Sequence, residues 1–303
     1  MHNANIKKDV SSLSKIRVRL EKKRCLMNKQ QTRKPVVAGM FYPGEKETLE
    51  ENLNGYFNNA ELSSFSFRKI HGIISPHAGY PYSGPVAAYG FKLLKKIDIK
   101  NIIVVAPSHR EYFSGFSIYP GKYFETPLGN IAIGTKTCDL FVEAIDSIKY
   151  TETGHRDEHS LEVQLPFLQT IYPNGFNLIP VVMGDCSLQD IDDFANTMAG
   201  MAKDEDFIII ASSDLSHFHP YNKAVKTDNN LISILQKFDI DKLEIGYQNR
   251  SLEACGLGPI LLLMKYAKFV GVPLFKKLNY KNSGDTSGMM DQVVGYLSAV
   301  IYE

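Results

Sequence analysis

Five residues carry the chemistry this sequence can offer: His77, His109, Asp214, His217 and Cys255. Imidazole and thiolate are donors for iron, copper or zinc, and a carboxylate widens the choice toward harder ions. No HExxH or paired CxxC spacing is present, so a metal site has to be assembled from distant loops. His77 and His109 are the first candidates for ligands. Asp214 and His217, three residues apart, can form an acid/base pair in which the carboxylate fixes the imidazole tautomer. The plainer alternative is an Asp capping the next helix beside a surface His. Cys255, in Glu253-Ala254-Cys255-Gly256, reads by itself as a small buried hydrophobe, the usual fate of a free Cys. His159 and Glu162 read as an ion pair on a helix face. His155 and His219 read as peripheral, and His71 lies before its strand, at the wrong end for a shared site.

What lifts the five above scattered polar residues is a repeated context. In Gly72 to Tyr89, GIISPHAGYPYSGPVAAY, an apolar run stops at Ser75-Pro76, His77 follows, and a Gly/Pro/Ser-rich turn leads into a helix from Ser83 to about Lys95. The pattern of an apolar run, small residues and then His recurs at Asn101 to His109 and at Phe207 to His219. In open α/β sheets ligands bind outside the carboxyl ends of the strands, where loops are free to carry chemistry.

The remaining elements alternate in type. Pro35 to Gly44 opens with a strand-like run and a Pro-Gly turn, and Glu47 to Phe57 is an amphipathic helix. Ile102 to Ala106 and Leu178 to Met183 are buried strands, while Phe116 to Tyr119 and Asn130 to Thr135 are shorter ones. Helices are expected at Asp139 to Ile148, through His155 to Gln169 after a polar entry, and at Leu188 to Met201, Lys223 to Phe238 and Gly258 to Phe269. Leu274 to Tyr280 and Val293 to Ile301 close the sheet, with Asn282 to Asp285 as a loop. The expected class is a single α/β domain over residues 35–303, with a central, mainly parallel or mixed sheet flanked by helices.

Composition fits such a domain. At 303 residues and 44% hydrophobic content the chain can bury one large core. Cys25, Cys138, Cys186 and Cys255 are widely spaced, which points to reduced thiols rather than a disulfide framework or a zinc ribbon. No apolar run approaches the roughly 20 residues of a membrane span, and no signal-peptide hydrophobic stretch opens the chain, so a soluble cytoplasmic protein is expected. Residues 1–34 carry eleven Lys/Arg against two Asp/Glu, a net of +9, and the remainder has 23 against 31, a net of −8. A basic tail can meet nucleic acid or an acidic membrane. The blander reading is favoured, a solvated, disordered extension or sequence upstream of a start at Met27, and no specific nucleic-acid binding is expected.

Taken in order, the motifs AGMFYPG, SPHAGYPYSG, APSHR, TPLGN, DEHSLEVQLPFL, SSDLSHF, EACG and the final NSGD resemble the Memo family, in the branch named AmmeMemoRadiSam system protein B. The resemblance runs from about Val37 to Ile301. It implies a fold similar to that of the class III extradiol dioxygenases, which hold Fe(II) with two His and one Glu. In the Memo family the corresponding set is two His and one Cys, here His77, His109 and Cys255. His217 then stands where the dioxygenases keep an acid/base histidine, and Asp214 lines the same site. The resemblance implies one transition-metal ion, iron first, with copper or zinc as alternatives. A thiolate in place of a carboxylate favours the softer metals and alters the redox potential, so dioxygenase activity does not transfer automatically. Animal members are described as copper- or iron-linked redox proteins and as binders of phosphotyrosine peptides. The bacterial branch is linked to a radical-SAM enzyme and a second partner protein. The 34-residue basic extension departs from the family pattern.

Three functions therefore compete. The leading one is a metal-dependent redox enzyme acting on an unknown small molecule or peptide. The second is a module that uses the same cleft to hold a peptide or protein without catalysis. The third is a hydrolase with Cys255 as nucleophile and His217 as base, which no local protease signature supports.

Overall fold

The computed structural model describes residues 31–303 apart from Phe65 and Val272. The expected extension therefore lies mostly outside the described residues, as do Cys25 and Met27. Within them the fold begins ahead of Pro35, because the short strand β1 (Thr32–Arg33) pairs in parallel with Tyr123 and Phe124. Helix α1 (Lys46–Asn59) then buries Leu49 and Leu53, four apart on one face.

Strand β2 (Ile70–Ser75), α2 (Tyr80–Leu94) and β3 (Asn101–Pro107) form the first crossover. Next come β4 (Phe116–Ile118), β5 (Tyr123–Thr126), β6 (Gly129–Ala132), α3 (Thr135–Ala144) and β7 (Ile148–Tyr150). A 3₁₀ turn (Glu162–Gln164) runs into α4 (Leu165–Ile171), followed by β8 (Asn177–Met183), α5 (Leu188–Met201) and β9 (Phe207–Ser212). The chain ends with β10 (Asp214–His219), α6 (Tyr221–Gln236), α7 (Ile240–Gln248), α8 (Leu257–Val270), β11 (Leu274–Asn282), α9 (Ser283–Ser287) and β12 (Val293–Tyr302).

The large sheet has nine strands in the order β10-β12-β2-β9-β3-β8-β4-β7, with β11 on β12, and β1, β5 and β6 make a small separate sheet. Its centre, β2-β9-β3-β8, is parallel, and antiparallel β12 and β4 flank it. Parallel strands covered on both faces must be apolar throughout, and Ile102 to Ala106 and Ile208 to Ala211 are all fully buried. Because these strands run the same way, the loops after Ser75, Pro107, Met183 and Ser212 emerge along one edge.

Several local expectations are corrected. The helix expected at Asp139 to Ile148 starts at Thr135 and ends at Ala144, and Ile148 instead pairs with Phe116 in β4. The expected helix through His155 to Gln169 is helical only from Glu162 onward. Asp214 does not cap a helix. It opens β10, an antiparallel strand whose pairing with β12 shifts register at His217 and whose Phe218 has φ of 59°, irregularities that erase the alternation a strand normally shows. Helix α7 was not expected; Asp239 caps it by accepting from the Lys242 N–H. The Asn282 to Asp285 segment is not a loop but a capping box opening α9.

Candidate metal centre

His77 follows β2 and His109 follows β3, while Cys255 reaches the same point from the loop before α8. Gly256 explains how that loop comes so close. A Cβ there would lie 2.2 Å from the Ser212 carbonyl oxygen, so only glycine lets the backbone rest on the end of β9. Gly256 N–H donates to Ser213 Oγ at 2.9 Å, and Cys255 N–H donates to the Asp214 carbonyl at 3.3 Å. The result is that single donor atoms from His77, His109 and Cys255 lie within 4.8 Å of one another, with Cys255 Sγ 3.2 Å from His77 Nε2.

Hydrogen-bond accounting fixes both ring tautomers. Ser212 Oγ has one proton, which it donates to the Ser160 carbonyl at 2.7 Å. It must therefore accept from Gln164 Nε2 and from His77 Nδ1, both at 2.8 Å. His77 is protonated at Nδ1, and its bare Nε2 faces the thiol. His109 Nδ1 lies 3.0 Å from Glu158 Oε1, a carboxylate oxygen that can only accept, so His109 is held through Nδ1–H, which leaves Nε2 as the nitrogen free to bind a metal. Partners of this kind orient metal-binding imidazoles and raise their basicity.

Electrostatics keep the His77 ring neutral. Burial, followed by the neighbouring His109 and His159, holds the His77 imidazole well below its ordinary range. Burial alone would raise the Glu158 carboxyl, but hydrogen bonds and charge from His109, with backbone N–H groups of His109 and Ser160, outweigh it and bring it to about 2. Burial and the adjacent Asp214 push the Cys255 thiol up, so without an ion the sulfur keeps its proton. Asp214 is raised to about 7, by burial that hydrogen bonds from the His77 and Ala78 backbone only partly offset. Two imidazoles held through Nδ1 and a thiol beside them fit a borderline or soft transition-metal ion, with the thiol deprotonating on binding.

The expected link between Asp214 and His217 is absent. Asp214 Oδ1 accepts from the His77 N–H at 2.8 Å, and His217 Nδ1 donates to the Leu215 carbonyl at 2.8 Å, leaving His217 Nε2 bare. Nor do His159 and Glu162 pair. Glu162 is fully buried and takes hydrogen bonds from Arg33, Val36, Val37 and Tyr42. His159 instead stacks on His109, with ring centroids 5.0 Å apart, and lies 5.6 Å from the His77 ring. Phe41 covers it at 4.8 Å. His155 is buried against Tyr119 and Phe124, and His71 sits near the start of β2, away from the site. His109, Glu158 and His159 form a second group of close donors. There the Glu158 oxygens are already occupied by the N–H groups of His109, His159 and Ser160.

Sequence reasoning missed Ser212, Gln164 and Glu158. Two of them, Glu158 and Gln164, stand in the motif DEHSLEVQ, where only His159 and Glu162 stood out as a pair. Their signal was a run of polar residues in a segment that is otherwise apolar and buried.

Comparison with known proteins bears on family and fold. A family model described as Memo-like protein matches residues 33–300. A MEMO1 family protein of Thermoplasma volcanium is 37% identical over 268 residues, covering 88% of this chain and 97% of its own length. One from Nitrosopumilus maritimus is 34% identical over 267 residues, covering 87% and 97%. The fold is similar to a solved structure of an uncharacterized protein from Escherichia coli K12, with a TM-score of 0.51 at 11% identity over 78% of this chain and 100% of that one. At that identity the likeness speaks for the fold alone.

Proposed function

This chain belongs to the Memo family, and from that premise we propose that it is a metal-dependent redox enzyme whose single ion is held by His77, His109 and Cys255. Iron is the first choice and copper the second, with zinc the non-redox alternative. The observation that carries the reading is the convergence of one donor atom each from His77, His109 and Cys255 within 4.8 Å of one another. When bound, such an ion supplies open positions for a substrate oxygen and, for iron or copper, a redox couple.

The chain's own residues do the rest. Ser212 and Glu158 hold the two rings by their Nδ1–H groups, so neither imidazole has to reorganise. Cys255 gives up its proton on binding, and the soft sulfur distinguishes this set from a two-His, one-carboxylate site. His217 is tethered through Nδ1 and keeps Nε2 free, which suits it to take a proton from a substrate or return it. Asp214 braces the His77 backbone and can hold a proton near neutrality.

A hydrolase with Cys255 as nucleophile is disfavoured, because that chemistry needs a thiol lowered toward neutrality and this one is raised. The substrate is proposed to be a small molecule or peptide. From the family resemblance alone, the partners are a radical-SAM enzyme and its associated protein. The proposed compartment is the cytoplasm; among the described residues no helix is long and apolar enough to cross a membrane.

The test is elemental analysis of anaerobically purified, folded protein. About one transition-metal ion per chain is expected, lost in His77→Ala and His109→Ala. Stoichiometric metal in either variant removes that residue from the site.

A further inference from the structure

The peptide unit joining Leu215 to Ser216 is held from both sides. Its oxygen, the Leu215 carbonyl, accepts from His217 Nδ1 at 2.8 Å. Its N–H, that of Ser216, donates to Asp228 Oδ1 at 3.0 Å. A backbone N–H can only donate, so this carboxyl oxygen accepts, and carboxyl, peptide and imidazole form one continuous chain of hydrogen bonds. The peptide lies where β10 loses its register against β12, between Asp214 and His217. A bulge of this kind interrupts the ladder, and here a side chain takes the N–H.

Three elements are built around that carboxyl. Asp228 stands on α6 and is fully buried. Its Oδ2 accepts from the hydroxyl of Tyr280, on β11, at 2.7 Å. Gly295, on β12, makes the room, because a Cβ there would lie 2.0 Å from Oδ2 and would displace the carboxyl. Neither of these hydrogen-bond partners is a cation, and burial pushes the Asp228 carboxyl above its ordinary range. An apolar side chain would pack α6 on the sheet without that desolvation cost. The fold instead carries a buried acid and sets one of its oxygens on the peptide that holds His217.

We propose that Asp228 is the positioning residue of His217: acting through the Leu215–Ser216 peptide, it fixes the carbonyl that keeps the imidazole protonated at Nδ1 and its Nε2 free. A carboxylate on the N–H side of an amide polarises it, so the carbonyl on the other side becomes a stronger acceptor. The orienting role that sequence spacing assigns to Asp214 thus falls to a residue of another element, with a peptide as the intermediate. Asp228 takes no proton from His217; it holds and polarises. The meaning of this relay for proton transfer rests on the reading of His217 given above, whereas the tautomer itself does not.

The experiment is NMR of isotope-labelled imidazole nitrogens in the full chain at mildly alkaline pH, metal-free and then with Zn(II), the His217 signals being identified by their loss in His217→Gln. Metal-free wild type should show His217 protonated at Nδ1; protonation at Nε2 overturns the relay. Asp228→Leu, the apolar isostere, should shift the tautomer ratio toward Nε2–H by about fivefold, the equivalent of one hydrogen bond of roughly 1 kcal/mol. Asp228→Asn can still accept the Ser216 N–H and turn its NH₂ to the Tyr280 oxygen, so it should restore the wild-type tautomer. A merely structural carboxyl would lower the melting temperature of Asp228→Leu and leave the tautomer unchanged, which overturns the proposal. If Asp228→Leu does not fold, Asp228→Asn decides: its His217 Nδ1–H proton should move upfield, because a neutral amide polarises the peptide less, and an unmoved signal refutes the relay. Zn(II) uptake is measured on the same samples. An Asp228-dependent tautomer without bound Zn(II) supports the relay and removes the metal centre, and full Zn(II) with a tautomer indifferent to Asp228 does the reverse.

Discussion

Glu158→Gln separates a metal-centre carboxylate from a merely structural one. Glu158 Oε1 accepts from His109 Nδ1, His159 N–H and Ser160 N–H, each at 3.0 Å, and Oε2 accepts from the His109 N–H. An amide keeps one acceptor oxygen and turns an NH₂ donor against donors that cannot reciprocate. Losing a charged hydrogen bond and leaving a buried donor unmatched together cost on the order of 2–4 kcal/mol. For a domain this size that lowers the melting temperature by roughly 4–7 °C. His109 also loses the partner that orients its ring and raises its basicity, which typically weakens metal binding about 10- to 100-fold. Competition with a chromophoric chelator on folded protein, below the melting transition, measures the second effect apart from the first. The pH dependence in metal-free protein has a defined sign. The carboxyl is depressed in the fold to about 2 from 4.5, so its stabilisation is present above pH 4.5 and is lost as pH falls toward 2. The gap between wild type and variant should close over that window. If Glu158→Gln lowers stability but leaves metal affinity within twofold of wild type, the carboxylate does not tune His109 and the argument from tautomers fails.

Asp214→Asn should act in the opposite pH direction. Its carboxyl is raised in the fold from 3.8 to about 7, so the metal-free wild type is most favoured below 3.8 and loses stability as pH rises to 7. The asparagine variant, which can still accept from His77 N–H, should lack that decline in denaturant titrations across the range. His217→Ala should retain metal within about twofold and lose turnover once a substrate is identified; metal loss equal to that of His77→Ala would make it a ligand instead. Deleting residues 1–30 should leave the melting temperature within a few degrees. Arg33→Ala should lower stability by about 3–5 kcal/mol, because it leaves the fully buried Glu162 carboxylate without its cation. Unchanged denaturant midpoints for Arg33→Ala would refute that.

The parallel core and the positions of His77 and His109 were legible because buried strands are unbroken apolar runs, and the residue after each run must sit at the sheet's edge. Cys255 was not legible from spacing; the family resemblance supplied it, and Gly256 is the physical reason it arrives. Ser212 and Glu158 escaped notice because their role is to bond other side chains, a property that no periodicity records. The pairing of His159 with Glu162 failed because a separation of three matters only on a continuous helix, and here His159 precedes the 3₁₀ turn. Arg33 belongs by charge to a basic tail, yet it is buried across the fold against Glu162, a long-range match that local composition cannot reveal.

X-ray absorption on the metal-loaded protein tests the central claim most directly, because it counts the donors around the ion. The account predicts one sulfur at about 2.3 Å and two imidazole nitrogens at about 2.0 Å, with the sulfur shell lost in Cys255→Ser. A spectrum of the wild-type protein with nitrogen and oxygen neighbours only would contradict the assignment of Cys255 and the metal centre built on it.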